Sequence, residues 1–231
     1  MLGRGVTGTV AVVTPVYGNE ATLVELVLRI DAALHDRPWR LRFVVDASPD
    51  TSLSVATRLA EADQRIAVTD LRRNVGQNRA LTRGLIDEPQ ADAWVCLDAD
   101  LQDPPETIPA LLDRLATGGV GAVFAGRRGH YESVGRRLTG TFHRHLVNRL
   151  TGVPHDAGAF VALGPDARTA VIRLDGPSLV ASIGVSGVRT ASVPATRASR
   201  GQGQSAWTSA ARARQSASTV AWLTRHRAAH R

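Results

Sequence analysis

Apolar segments and segments of helical periodicity alternate along the first half of the chain. The apolar segments are rich in β-branched residues, which is typical of strands buried in a parallel sheet. These predicted strands are Thr9–Val16, Arg42–Val45, Ile66–Asp70 and Ala93–Leu97. The predicted helices are residues 20–35, Ser52–Glu61, Gln77–Leu85 and Pro105–Leu115. Strands that alternate with helices predict an α/β fold with a mainly parallel sheet, flanked by helices and joined by right-handed crossovers.

The second half of the chain has a weaker pattern. A further strand is predicted at Val120–Ala125, and the Arg-rich stretch Arg127–Arg149 has helical character from about Ser133. After Gly152 the pattern favours short strands and turns, and residues 208–231 are typical of a basic helix. Because no segment rich in Pro, Gly and Ser divides the chain, we expect one domain over residues 1–207 and a basic helical extension over residues 208–231.

The composition excludes several classes of protein. A chain of 231 residues with 43% hydrophobic and 21% charged residues is not disordered throughout and can bury a full core. The single cysteine, Cys96, excludes a disulfide framework and a multi-cysteine zinc site. No apolar stretch approaches the ~18–20 residues of a membrane span, and the first residues lack a signal-peptide pattern. We therefore expect a cytoplasmic protein.

The charge is unevenly distributed. All 28 basic residues are arginines; the first 115 residues carry a net charge of −5 and the remainder a net charge of +12. The planar guanidinium matches phosphate oxygens, so the basic half predicts contact with phosphates, anionic lipid headgroups or nucleic acid. Nucleic acid is disfavoured as a partner, because the chain shows neither a recognition motif nor an interleaving of aromatic and basic residues.

Polar clusters follow each of the first four predicted strands. They are Tyr17–Glu20, Asp46–Asp50, Arg73–Gly76 and Asp98–Asp103. Ligands of open α/β sheets bind beyond the carboxyl ends of the strands, so these clusters predict a binding site at one edge of the sheet. Asp98 and Asp100 can reach one hard cation together, and Mg²⁺ or Mn²⁺ would share such a site with substrate phosphates. The alternative is a pair of solvated turn carboxylates.

The stretch from Asp98 to Glu106, DADLQDPPE, resembles the signature of family 2 glycosyltransferases with the GT-A fold. The branch that it resembles is that of the dolichol- and polyprenyl-phosphate sugar transferases. Upstream, Pro15 and Tyr17 with Glu20 are similar to the family's P-x-Y-N-E turn. Asp46–Asp50 is similar to its V-D-D-G-S-x-D loop, with Val45 in place of the first Asp and Ala47 in place of Gly. Arg73–Gly76 is similar to its R-N-x-G turn.

Downstream motifs occur in the family's order as well. Gly126–Arg128, Glu132, Ser133 and Arg136 resemble the G-x-R…E-S…R segment, and Asn148 and Gly152 resemble N-x-L-x-G. Asp156–Phe160 resembles the start of D-x-G-x-F-R-L, with Val161 in place of Arg. Arg197–Trp207 resembles the late R-x-x-R-x-x-G-x-S-x-Y element, with Trp for Tyr. The resemblance therefore spans about residues 10–207.

The resemblance implies roles for individual residues. It implies a nucleoside pocket at Glu20, Asp46 and Asp50, for which turn and helix-cap hydrogen bonding is the alternative. It implies that Asp98 and Asp100 bind the metal. The other donor contacts that it implies are Pro15, Tyr17, Asn74, Gly76, Ala99, Gln102, Arg197, Arg200 and Ser205. The resemblance implies catalytic roles for Asp156, beside the acceptor, for Asp103, near the donor sugar, and for Arg127. Arg127 and Arg136 would hold phosphates.

The implied activity is metal-dependent, inverting transfer of a sugar from a UDP- or GDP-sugar to a polyprenyl phosphate at the membrane surface. An anionic phosphate acceptor needs no strong base, whereas a hydroxyl acceptor needs a carboxylate, for which Asp156 is the candidate. The alternative function is that of a soluble transferase acting on a hydroxyl of a small biosynthetic intermediate. This alternative is favoured by the departures from the family pattern at Val45 and Val161 and by the short segment between Asp166 and Val193. A catalytically silent sugar-nucleotide-binding relative is a further alternative. The oligomeric state is not predicted.

Overall fold

The structure, a computed structural model, describes residues 8–128, 148–149, 151–196 and 218–226. Its strands are β1 (Val10–Val16), β2 (Trp39–Asp46), β3 (Ile66–Leu71), β4 (Ala93–Cys96), β5 (Ala122–Arg128), β6 (Val161–Leu163) and β7 (Thr190–Thr196). Its helices are α1 (Leu23–Ala33), α2 (Ser52–Ala62), α3 (Gln77–Asp87), α4 (Ile108–Ala116), α5 (Pro165–Leu174) and α6 (Leu179–Val185). A 3₁₀ turn, Pro105–Thr107, precedes α4, and residues 218–226 are helical.

The strands form a single seven-stranded sheet in the order β3-β2-β1-β4-β6-β5-β7. All neighbours pair in parallel except β6, which is antiparallel to both β4 and β5. The carboxyl ends of the six parallel strands therefore meet at one edge, together with the amino end of β6. We call this edge of the sheet the site edge. The predicted α/β fold with a mainly parallel sheet is confirmed.

Helices cover both faces of the sheet. α1, α2 and α4 pack on one face, and α3, α5 and α6 pack on the other. In β1 successive side chains serve the two cores in turn, with Val12 in one core and Val13 in the other, and both are fully buried. Burial on both faces explains why this strand is apolar in the sequence at every position but Thr14.

The segment after Gly152 differs from its prediction. Short strands and turns were expected, and β6 and β7 are such strands, but α5 and α6 also occupy this segment and were not predicted. α5 buries only Ala167, Ala170 and Val171, and residues this small give a weak helical signal. α6 begins at a serine cap, where the Ser178 side chain accepts a hydrogen bond from the Ala181 backbone N–H at 3.1 Å.

The basic regions are described only in part. The predicted helical character between about Ser133 and Arg149 lies outside the described residues, apart from helical residues 148–149. Of the predicted helix 208–231, residues 218–226 are described, and they pack Leu223 into the core beside α5 and α6. No helix in the described part of the chain is both long enough and apolar enough to cross a membrane.

Candidate functional site

The loops that follow β1 and β2 are joined to each other by hydrogen bonds at the site edge. The Glu20 carboxylate accepts from the Thr51 backbone N–H at 2.8 Å and from the Thr51 hydroxyl. Asp50 accepts from the Ser48 hydroxyl at 2.6 Å and from the Glu20 backbone N–H at 3.2 Å. Burial alone raises the pKa of Asp50, but the hydrogen bonds from Ser48, Ser52 and Glu20 outweigh it and hold the pKa below its usual value. The structure thus brings Glu20 and Asp50 together through hydrogen bonds of the loops, and a nucleoside pocket at these residues stays a prediction.

Asp46, at the end of β2, has a different environment. Its side chain is buried, and its two carboxylate oxygens accept from the backbone N–H groups of Val75 and Gly76 at 2.7 and 2.8 Å. The Asn74 side chain donates to the Asp46 backbone carbonyl at 3.2 Å. Asp46 therefore orders the turn before α3, in which Gly76 has φ +87°. A contact between Asp46 and a nucleoside stays a prediction.

Asp98 and Asp100 lie on the turn that follows β4. The side-chain amide of Gln77, the first residue of α3, donates to Asp98 Oδ1. The Thr22 hydroxyl, at the start of α1, donates to the Ala99 carbonyl at 2.6 Å, and Asp100 Oδ1 accepts from the Gln102 backbone N–H at 3.1 Å. These contacts fix the turn between the amino ends of α1 and α3.

The donor set of this turn fits a hard divalent cation shared with a substrate. Asp98 and Asp100 flank the buried Ala99, so their carboxylates are two residues apart at the site edge. In the described ranges no three His, Cys, Asp or Glu side chains form a complete metal cluster. Two carboxylates completed by phosphate and water oxygens are the arrangement that Mg²⁺ commonly takes. Burial and the nearby charge of Asp98 raise the pKa of Cys96 to about 12, so its thiol stays neutral and is a poor ligand.

Asp156 also lies at the site edge, on the β5 side of β6, whereas the turn with Asp98 and Asp100 lies on the β4 side. Asp156 precedes β6, and its side chain packs against Gly126 in β5. Asp156 Oδ2 accepts a hydrogen bond from the Ser192 hydroxyl of β7 at 2.8 Å. Because β6 lies between β4 and β5 in the sheet, β6 separates Asp156 from the turn with Asp98.

The other predicted residues are distributed as follows. Pro15 lies in β1, Tyr17 is exposed beyond that strand, and Gln102 and the buried Asp103 lie on the turn after β4. Arg127 belongs to β5, but its side chain is outside the described residues. Arg136, Arg197, Arg200 and Ser205 lie outside the described residues altogether.

Among the residues that contact predicted site residues, Thr22, Thr51, Gln77 and Ser192 were not identified from the sequence. Gln77 directly follows the R-N-x-G-like turn, so its position at a helix start facing the site edge could have identified it. Ser192 carries no such signal, because it is one small polar residue within a strand. It reaches Asp156 only through the pairing of β7 with β5.

The backbone conformation of Ala47 leads us to predict that replacing this residue by glycine stabilises the fold. Ala47 has φ +50°, a left-handed conformation that glycine adopts without steric cost. We expect Ala47→Gly to raise the free energy of unfolding by about 0.5–1 kcal/mol. Urea denaturation measures this change, with Ala110→Gly as control, since Ala110 is exposed within α4 and its replacement should lower stability by ~1 kcal/mol. If the free energy of unfolding falls equally in the two variants, the backbone at Ala47 is not strained.

Comparisons with known proteins agree with this architecture. Undecaprenyl-phosphate 4-deoxy-4-formamido-L-arabinose transferase of Pseudomonas aeruginosa is 39% identical over 158 residues, which are 66% of this chain and 45% of the relative. The enzyme of the same name from Pectobacterium carotovorum is 37% identical over 148 residues, 62% of this chain and 44% of the relative. The chain thus spans less than half the length of these curated relatives.

Solved structures share the fold at low sequence identity. A mannosyltransferase of Pyrobaculum calidifontis, solved with GDP-Man and Mn²⁺, aligns with a TM-score of 0.65 and 23% identity over 94% of this chain and 64% of its own. Glucosyl-3-phosphoglycerate synthase of Mycobacterium tuberculosis, solved with Mn²⁺, UDP and phosphoglyceric acid, aligns with a TM-score of 0.69 and 19% identity over 94% of this chain and 78% of its own. The predicted GT-A fold is confirmed. The model of the glycosyl transferase family 2 matches residues 11–164, from β1 through β6, and the chain therefore belongs to that family.

Proposed function

We propose that the chain transfers a sugar from a nucleotide-sugar donor to a polyprenyl phosphate. The observation that carries the proposal is the turn with Asp98 and Asp100, fixed at the site edge between the amino ends of α1 and α3. The relatives named as undecaprenyl-phosphate transferases support a lipid-phosphate acceptor. We assign transfer to residues 1–207 and expect the basic residues, including the extension 208–231, to face an anionic membrane surface.

The donor would bind across the site edge from β2 to β4. The nucleoside faces the joined loops with Glu20 and Asp50, and the diphosphate faces Asp98 and Asp100. Mg²⁺ or Mn²⁺ held by these two aspartates supplies positive charge that offsets the diphosphate and stabilises its departure. The solved neighbours named with GDP-Man, UDP and Mn²⁺ support this class of ligand.

The acceptor would approach from the side of β5 and β7. A phosphate oxygen of the acceptor bonds to the anomeric carbon as the bond between that carbon and the diphosphate oxygen breaks, which inverts the configuration. Because the acceptor oxygen is already ionised, positioning and charge compensation suffice. Arg127, Arg136, Arg197 and Arg200 are the side chains that we expect to hold the acceptor and donor phosphates.

A second candidate is transfer to a hydroxyl group of a small molecule. The observation in its favour is Asp156 Oδ1, which is buried and has no hydrogen-bond partner in the described part of the chain. A buried carboxylate oxygen of this kind suits the removal of a proton from a hydroxyl acceptor.

Ligand-dependent thermal unfolding tests the donor. We expect one of UDP, GDP and TDP, or its sugar, to raise the unfolding temperature in the presence of Mn²⁺, and the shift to shrink in excess EDTA. A ligand at 100 times its dissociation constant adds about 2.7 kcal/mol to the free energy of unfolding. The corresponding monophosphates are the controls, because they lack the diphosphate that faces the cation. If no diphosphate nucleotide raises the unfolding temperature more than its monophosphate, the proposed donor class is wrong.

A further inference from the structure

Three residues from different parts of the chain meet near the carboxyl end of β5. Asp156 comes from the segment before β6, Gly126 from β5 and Ser192 from β7. Ser192 lies opposite Phe124 in the parallel pairing of β7 with β5, two residues before the partner of Gly126. Its hydroxyl donates to Asp156 Oδ2 at 2.8 Å. The Asp156 carboxylate is thus anchored across two neighbouring strands.

Gly126 provides the space for this carboxylate. A Cβ atom at residue 126 would overlap both Asp156 Oδ2 and the Ser192 hydroxyl. Gly126 does not adopt a positive φ, so backbone conformation does not require glycine here. A side chain at residue 126 would instead force the Asp156 and Ser192 side chains to move away from it.

The two oxygens of Asp156 have different environments. Oδ2 accepts from Ser192, whereas Oδ1 is buried and has no hydrogen-bond partner among the residues that the structure describes. Leaving a buried carboxylate oxygen without a donor is costly, and such atoms call for a specific explanation. The second side-chain torsion of aspartate, χ2, takes a broad range of angles, so the hydrogen bond that Oδ2 accepts determines where Oδ1 points.

We propose that Ser192 is a positioning residue which, with the bare backbone of Gly126, holds Asp156 so that Oδ1 accepts a hydrogen bond from a substrate hydroxyl. The inference rests on the proposed function. A hydroxyl is the matching group because a carboxylate oxygen accepts hydrogen bonds, whereas it repels an ionised phosphate. The hydroxyl belongs either to the transferred sugar or to a hydroxyl acceptor. In the second case its proton passes to Oδ1 as its oxygen bonds to the anomeric carbon and the bond to the diphosphate breaks.

A double-mutant cycle tests whether Ser192 acts through Asp156. Transfer is measured for the wild type, Ser192→Ala, Asp156→Ala and the double variant, with undecaprenyl phosphate and with a hydroxyl acceptor in parallel. We expect Ser192→Ala to lower kcat/KM about fivefold, the usual effect of one lost hydrogen bond. The same change made in the Asp156→Ala background should have no further effect.

Two further variants separate positioning from packing. Ser192→Thr keeps the hydroxyl and should retain kcat/KM within about twofold of the wild type. Ser186→Ala removes a comparable hydroxyl, which donates to the Ile183 carbonyl at 2.6 Å at the end of α6, and should leave transfer unchanged. Because α6 precedes the amino end of β7, Ser186 lies away from the site edge. Thermal unfolding of every variant shows whether it is folded.

The outcomes separate this inference from the proposed function. If the wild type transfers sugar to neither acceptor, the proposed function fails. If the wild type is active but Ser192→Ala changes kcat/KM less than twofold, or by the same factor with and without Asp156, the positioning role is wrong. A non-additive loss with undecaprenyl phosphate assigns the hydroxyl to the sugar, and a loss confined to the hydroxyl acceptor assigns it to that acceptor.

Discussion

Asp100→Asn is expected to reduce sugar transfer about 10²–10³-fold while the chain remains folded. The amide keeps the size of the side chain and can still accept from the Gln102 backbone N–H, but it removes the negative charge that would hold the cation at the diphosphate. Losing one strong electrostatic contact to the charge that develops in the transition state costs ~2–4 kcal/mol. Turnover with a labelled nucleotide sugar and undecaprenyl phosphate measures the loss.

Asp166→Asn is the matched control for this variant. Asp166 is an exposed aspartate in the first turn of α5, which follows the carboxyl end of the antiparallel β6 and therefore lies at the edge of the sheet opposite the site edge. Its replacement removes the same charge from the chain and should leave transfer unchanged. Titration with Mn²⁺ gives an independent measurement, since the unfolding temperature of Asp100→Asn should respond to Mn²⁺ and nucleotide less than that of the wild type. Near-normal turnover of Asp100→Asn, or undiminished wild-type activity in excess EDTA, would overturn the metal assignment.

The fold could be predicted from sequence wherever burial leaves a strong pattern. β1 is apolar at every position but Thr14 because both of its faces are covered, and the helix after it repeats apolar residues at Leu23, Leu26 and Ile30 on the buried face. Parallel topology then places the polar ends of β1, β2 and β4 at one edge, so the placement of Glu20, Asp50 and Asp98 at that edge could be predicted without coordinates.

The parts that could not be predicted depend on pairing between distant segments. The short β6 inserts antiparallel between β4 and β5, and nothing local in its three residues determines that direction. Ser192 gains its contact with Asp156 from the register of β7 against β5, which joins strands about sixty residues apart in sequence. For Asp46, the residue could be identified from the sequence but its contacts could not. Backbone N–H groups of the loop before α3 donate to both of its carboxylate oxygens.

Asp156→Asn is expected to discriminate between the two acceptor classes. With undecaprenyl phosphate the substitution should leave at least about a tenth of the activity, because no proton has to be removed from an ionised acceptor. The amide can still accept the hydrogen bond from Ser192 and fits the space over Gly126, so the carboxylate charge is the main change. With a hydroxyl acceptor the same variant should lose ~10²–10⁴-fold, the effect of removing a general base.

A direct acceptor test makes this result unambiguous, since Asp156 could also position either acceptor. The enzyme is incubated with Mg²⁺, labelled nucleotide sugars and a short polyprenyl phosphate, and a labelled product that partitions into organic solvent is expected. Retention of activity by Asp156→Asn in that assay agrees with an anionic acceptor held by arginines of the basic half. If no donor yields an extractable product while a small hydroxyl acceptor is glycosylated, Asp156 is the base of a hydroxyl-directed transferase. The buried, partnerless Oδ1 of Asp156 in the described part of the chain would then be the atom that takes the proton.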